Sequence, residues 1–307
     1  MKIAIIGQAA FGKDVLSSLI AQKEDVTTVI CPPDRSPEKI DPLKTAALEN
    51  NIPVLQYPKM RSAEAIEKFV SLNIDLCVMA FVTDIVPNEI LKSPTLGTIQ
   101  YHPSLLPKYR GPSSINWPII NGDTKTGLTI FWPDEGLDTG PILLQKTVSI
   151  NPDDTLGSLY FEKLFPVGVN AMCEAVNLVK KGQAPKVNQD HSQATYQGWC
   201  SSNEVKVNWE QNTRQIFNLI RGSDPSPGAN SMFKGDQISF FNANVLSEKS
   251  NAQPGSITNI SETDISIATF DGSISVQRMK IGKGPKITAR EYVAKTNAKV
   301  GDRFSDS

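Results

Sequence analysis

Histidine is almost missing from this chain, with two in 307 residues, His102 and His191, so any histidine chemistry passes through one of these positions. Cysteine is sparse as well: Cys31, Cys77, Cys173 and Cys200 lie far apart with no Cys-x-x-Cys pair. Two of them sit inside apolar runs, which points to buried free thiols in a reducing compartment rather than a disulfide framework. An excess of charge of one sign is missing too. With 31 basic and 32 acidic residues the formal net charge is -1, so bulk electrostatics gives no attraction to a polyanion. No segment approaches the roughly 20 apolar residues that cross a bilayer, and no membrane partner is expected. The first residues, Met1 to Gly7, run directly into a strand and a turn without the pattern of a signal peptide, so the expected location is cytoplasmic.

What is present is periodicity. Lys2 to Ile6 is an apolar run ending at Gly7, and Val15, Leu16, Leu19 and Ile20 then recur at helical spacing within Phe11 to Gln22. Val26 to Cys31 repeats the strand pattern, a short helix around Ala46 to Leu48 precedes Val54 and Leu55, and a helix over Ala63 to Leu72 leads into the strand Asp75 to Phe81. Strands alternating with helices imply an α/β fold with a Rossmann-like, doubly wound, mostly parallel sheet, whose sites lie at the carboxyl ends of strands. Further strands are expected at Gly97 to His102, Thr126 to Trp132 and Ile142 to Ile150. Asp153, Asp154 and Thr155 are N-cap candidates for a long helix that Pro166 should kink.

After about residue 200 the pattern becomes short alternating runs, among them Ile238 to Phe241, Ser256 to Ile260, Asp264 to Thr269 and Gly272 to Met279. These read as a small β-barrel or sandwich, giving domains 1–203 and 204–307, with Phe304 to Ser307 expected to fray. From Glu204 onward 13 basic residues face 11 acidic ones, too balanced for a strong nucleic-acid footprint. Lys280, Lys283, Lys286 and Arg290 cluster there, and a solvated face is the simpler reading. The turn Gly7 to Gly12 resembles a phosphate-binding turn but lacks both Gly-x-Gly-x-x-Gly and the P-loop lysine, so a tight strand-to-helix turn is favoured and no NAD is expected.

The candidate chemistry lies at the end of the strand Gly97 to His102. A period of two puts Thr98, Gln100 and His102 on one face, and Pro103 then ends the strand. Ser104, Leu105, Leu106 and Pro107, followed by Arg110 and Gly111, form a loop stiffened by proline. Two readings fit such a histidine: a ring satisfied by a backbone carbonyl, or a catalytic group. Asp138, in the Gly-Leu-Asp-Thr-Gly turn that follows Asp134, is either a turn residue bonded to its own backbone or the carboxylate that orients His102 for acid and base work. His191, among Asn188, Gln189, Asp190 and Ser192, reads as a solvated loop residue, and no metal-ligand spacing accompanies it.

With its Tyr101-His102-Pro103-Ser104 stretch, Ser104 to Pro107 loop, Arg110-Gly111 and Asp138, the chain resembles the folate-dependent formyltransferase family. Ile6-Gly7-Gln8, Ile115-Asn116-Trp117, Ile130-Phe131-Trp132, Leu164-Phe165-Pro166 and Ile220-Arg221-Gly222 make it most similar to the hydrolase-domain branch found in 10-formyltetrahydrofolate dehydrogenases. These matches cover about residues 1 to 228.

The resemblance implies a Rossmann-like catalytic domain and a C-terminal OB-like barrel. It implies 10-formyltetrahydrofolate as formyl donor, with no metal. His102, Asp138 and Gln100 would be catalytic, while Asp84, Ile85, Val86, Ser104, Leu105, Leu106, Pro107, Arg110 and Asp134 would bind the folate. Gln100 departs both from the asparagine of the amine-directed members and from the apolar residue general in the hydrolase domain of the dehydrogenases. Water is the expected acceptor, with an amine of a sugar, initiator tRNA, or a folate-binding module without turnover as alternatives. Since nothing follows the barrel, this chain alone should not oxidise the formyl group.

Overall fold

A computed structural model describes residues 1–34, 36, 39–246 and 251–305. Within it the first half of the chain builds a seven-stranded sheet in the order β3-β2-β1-β4-β5-β6-β7. Its strands are β1 (Lys2–Gly7), β2 (Asp25–Cys31), β3 (Val54–Gln56), β4 (Leu76–Ala80), β5 (Thr98–His102), β6 (Lys125–Phe131) and β7 (Ile142–Ser149). Helices α1 (Ala9–Ala21), α2 (Pro42–Glu49), α3 (Ala63–Ser71), α4 (Asn88–Leu91) and α5 (Asn116–Ile120) fill the connections. β1 pairs in parallel with β2 and with β4, β2 with β3, and β4 with β5, whereas β5 and β6 are antiparallel. The mostly parallel sheet is therefore the expected one. β1 and β4 are apolar runs buried nearly throughout, as strands covered on both faces must be.

The strand order reverses between β1 and β4, which makes their carboxyl ends the switch point of the sheet. The Gly7 to Gly12 turn lies there. Both carboxylate oxygens of Asp41 lie 3.0 Å from the Ala9 amide, and Asp41 also caps α2 through Leu43 N at 2.8 Å. The protein's own carboxylate thus occupies the amide that a phosphate would seek at the start of α1.

The helix expected after Asp153 is in three parts: α6 (Leu156–Ser158), a π-helical turn over Leu159–Leu164, and α7 (Phe165–Lys180). Thr155, the last of the three N-cap candidates, is the cap that is used, in a reciprocal capping box with Ser158. Pro166 falls in the first turn of α7, and the wider π turn immediately before it takes up the irregularity expected of a kink.

Compactness divides the chain into two units that are not contiguous in sequence: 1–114, 127–148 and 161–197 in one, and 115–126, 149–160 and 198–307 in the other. The second unit holds α8 (Thr213–Gly222) and the strands β8 (Ala229–Phe233), β9 (Asp236–Leu246), β10 (Ile257–Ile260), β11 (Ile265–Ala268), β12 (Ser273–Ile281) and β13 (Lys286–Thr288), followed by α9 (Ala289–Thr296). Its sheet runs β10-β11-β12-β9-β8, with β13 added beside β12. Every pairing recorded within this sheet is antiparallel. The chain end does not fray as expected, at least to Ser305. Phe304 is fully buried, its ring centroid 5.0 Å from Phe233 and 5.2 Å from Phe240, and Ser305 exchanges backbone bonds with Met232. Asp306 and Ser307 lie outside the described residues.

All four cysteines are free, and Cys31, Cys77 and Cys173 are buried. Burial pushes the Cys77 thiol up to about 12, as befits a packing residue rather than a nucleophile. Among the described residues no helix is long and apolar enough to cross a membrane, and no cluster of three metal-ligating side chains occurs.

Candidate active site

β5 delivers His102 to the carboxyl edge of the sheet, where its side chain is 6% exposed. Nε2 lies 2.8 Å from the carbonyl oxygen of Tyr109. A carbonyl only accepts, so Nε2 carries the hydrogen and Nδ1 is left for other work. Nδ1 faces Asp138 Oδ2 across 3.6 Å, and the Asp138 side chain is just 5% exposed. That gap is too long for a direct hydrogen bond but within ion-pair distance. One nitrogen of His102 satisfies a backbone carbonyl and the other faces a carboxylate.

The loop after β5 arranges these partners through consecutive residues. Tyr109, at φ +58, supplies the carbonyl, and two residues later the Gly111 amide donates to Asp138 Oδ2 at 2.8 Å. Gly111 has φ +103, and a Cβ there would stand 2.4 Å from the Gln197 carbonyl oxygen, so only glycine brings this amide to the carboxylate. Asp138 itself has φ +56. Backbone in this region costs on the order of 1 kcal/mol for a residue with a side chain, which marks the site as over-determined by its surroundings.

The Ser104 to Pro107 loop is pinned from the neighbouring strand. Thr129, opposite His102 in the β5–β6 register, donates its hydroxyl to Ser104 O at 2.7 Å and accepts from Leu106 N at 3.1 Å and Gln145 Nε2 at 2.9 Å. Ser104 is fully buried and donates to Lys108 O, Leu106 is buried, and the Leu106–Pro107 bond is cis. Leu105 and Pro107 are half-buried. Thr129 and Gln145 were not picked out from the sequence. Alternation along β6 marks which residues share a face, but nothing local gives the register that sets Thr129 against His102.

The other candidates scatter around this centre. Gln100, two residues before His102 on β5, is half-buried and makes no side-chain hydrogen bond among the described residues. Asp134 closes its own turn, accepting from Gly136 N at 3.1 Å and Thr139 Oγ1 at 2.5 Å. Asp84 accepts from Met60 N at 2.8 Å and lines a cavity of about 230 Å³ with Gly7, Gln8, Cys31, Lys59 and Thr83, at the switch point of the sheet. Ile85 is 71% exposed while Val86 is buried in the core. Arg110 points inward: its guanidinium donates to Gln189 Oε1 at 2.7 Å and to His191 Nδ1 at 3.1 Å, so His191 is not simply a solvated residue. In the second unit Lys286 pairs with Asp224 at 3.4 Å and stacks on Phe241, which removes one member from the basic cluster.

A buried histidine faces a buried carboxylate at a strand end of a doubly wound sheet, in a chain whose second unit is an antiparallel sheet. The chain belongs to the formyl transferase family: the formyl transferase model matches residues 1–176 and the formyl transferase C-terminal domain model matches residues 200–297. It is 37% identical over 308 residues to mitochondrial 10-formyltetrahydrofolate dehydrogenase of Mus musculus, covering 95% of this chain and 33% of that protein. The chain thus spans about a third of the length of these dehydrogenase relatives. Methionyl-tRNA formyltransferase of Clostridioides difficile is 34% identical over 306 residues, 98% of this chain and 99% of that protein. Among solved structures, the sugar 3N-formyl transferase WlaRD shares the fold, with a TM-score of 0.70 at 21% identity, covering 90% of this chain and 97% of that one.

Proposed function

We propose that this chain removes the formyl group of 10-formyltetrahydrofolate, releasing tetrahydrofolate, with water as the acceptor. The observation that carries the reading is the closed pair of His102 and Asp138, its two members held by Tyr109 and Gly111. Attack on the formyl carbon by water needs a base for the proton of the nucleophile and a donor for the developing oxyanion. Asp138 is the base. His102, with Nε2–H held by Tyr109, offers Nδ1–H in its protonated form to the oxyanion and then to the departing nitrogen. The carbon–nitrogen bond breaks, that nitrogen takes the proton, and formate and tetrahydrofolate result. Gln100, whose side chain makes no hydrogen bond among the described residues, assists as an amide donor to the formyl oxygen.

For the folate, Ile85 and Leu137 (71% and 54% exposed) provide apolar surface beside Asp84, Val86 and Asp134. Leu105 and Pro107 border the same loop as His102. Arg110 acts through Gln189 rather than on the folate directly. Water is favoured over an amine by the hydrolase-type Tyr101-His102-Pro103 stretch and by Gln100 where amine-directed members have asparagine. One observation supports transfer to initiator tRNA instead: the likeness to the Clostridioides difficile enzyme runs over nearly the whole of both chains.

The test is deformylation followed spectrophotometrically with formate measured, in buffer alone and with charged initiator tRNA or amino sugars added. Stoichiometric formate without an acceptor, lowered about 100- to 1000-fold by His102→Ala or Asp138→Asn, is the expected result. Formylated tRNA with little formate would overturn water as acceptor, and full turnover by either variant would overturn the site.

A further inference from the structure

We propose that Gln189 is a positioning residue for the reaction, acting through the backbone of Asp138; this rests on the catalytic role given to Asp138 above. Gln189 is 6% exposed, and its single amide nitrogen donates to two carbonyls of the same turn, Asp138 O at 2.9 Å and Gly140 O at 2.7 Å. These bonds clamp the chain on either side of Thr139, next to Asp138, which is held at φ +56, a region costly for a residue with a side chain. The amide oxygen of Gln189 is fixed in turn by Arg110 at 2.7 Å. Arg110 stands between Tyr109, which holds His102, and Gly111, which holds the Asp138 carboxylate. Three consecutive residues thus set His102, the Asp138 backbone by way of Gln189, and the Asp138 carboxylate.

The segment that carries Gln189 is built as a strap. At one end Val187 exchanges two backbone bonds with Ile142, just beyond the Asp134 to Gly140 loop, so that Gln189 follows two residues later. At the other end Thr195 accepts the Tyr109 and Arg110 amides through its hydroxyl and its carbonyl, and Gln197 N donates to Arg110 O. The strap ties both loops of the site to one piece of chain. Glutamine fits the position for a chemical reason: its amide must donate toward two carbonyls and accept from a guanidinium at once. A glutamate would retain only the second function, and a leucine neither.

The test compares Gln189→Leu and Gln189→Glu in the full chain, each alone and combined with Asp138→Asn. Misplacing a catalytic group by a fraction of an ångström to an ångström lowers kcat by about 10- to 100-fold, and KM for 10-formyltetrahydrofolate should stay within about threefold. Gln189→Glu should fail to rescue, since its carboxylate would face two carbonyl oxygens. In the Asp138→Asn background, either Gln189 change should lower kcat no further, because a residue acting only through Asp138 has nothing left to position. Wild-type kcat in Gln189→Glu, a loss confined to KM, or losses that multiply in the double variant would overturn the inference. If Gln189→Leu does not fold, Gln189→Glu carries the same comparison, as it keeps the Arg110 contact. Failure of the parent reading looks different: Asp138→Asn would then turn over normally by itself.

Discussion

The ring of His102 is locked to the carbonyl of Tyr109, Nε2 to oxygen at 2.8 Å, and this bond chooses which nitrogen faces Asp138. Because the acceptor is a carbonyl, the neutral ring must be the Nε2–H tautomer. Nitrogen-15 NMR of the labelled ring, at a pH where it is uncharged, should show Nε2 protonated and Nδ1 bare. The opposite tautomer would remove Nδ1 as the nitrogen that handles the proton.

Two threonines on β6 give a matched pair of outcomes. Thr129 uses its hydroxyl for three hydrogen bonds that hold the Ser104 to Leu106 loop. Thr126 Oγ1, equally buried, has no partner among the described residues. Thr129→Val should destabilise the fold by about 1–3 kcal/mol, while Thr126→Val should be neutral or stabilising, since it removes a buried hydroxyl that gains nothing. Urea unfolding of the two variants measures the contrast, and equal losses would contradict it.

Asp75 predicts a pH effect. Lys2 N donates to its Oδ2 at 2.7 Å and the Thr95 hydroxyl to its Oδ1 at 3.1 Å, and these bonds, the Lys2 amide foremost, hold the carboxyl below the usual aspartate range. A group whose folded value is depressed stabilises above its unfolded value and loses that contribution as pH falls through the folded one. The melting temperature of the wild type should therefore exceed that of Asp75→Asn at neutral pH. The difference should shrink on acidification through and below the aspartate range, and a constant difference would refute this assignment.

Phe304 predicts the importance of the chain end. Its ring lies among Trp209, Phe233, Phe240 and Tyr292, at centroid distances of 5.9, 5.0, 5.2 and 6.4 Å. Phe304→Ala should cost about 3–5 kcal/mol, the usual penalty for emptying a fully buried aromatic site. Calorimetry would register this as a lower transition for the second unit, whereas an unchanged scan would mean that the ring contributes little.

The sequence by itself determined the alternation of strands and helices, the mostly parallel sheet, and the arrival of His102 at a strand end, because apolar periodicity and proline punctuation are local and survive in one dimension. It also singled out Asp138 and the Ser104 to Pro107 loop by their turn chemistry. It did not reveal α9 or the anchoring of Phe304, where short polar-rich segments are overruled by packing against a distant core. Tertiary structure alone decided the pairing of Thr129 with His102, the inward turn of Arg110, and the place of Gln189 under Asp138. Gln189 lies 51 residues from Asp138 in a run of polar residues that reads as an ordinary loop. What sets it apart is burial beside two strained turns, and burial between distant segments is a property of the folded chain that no local pattern encodes.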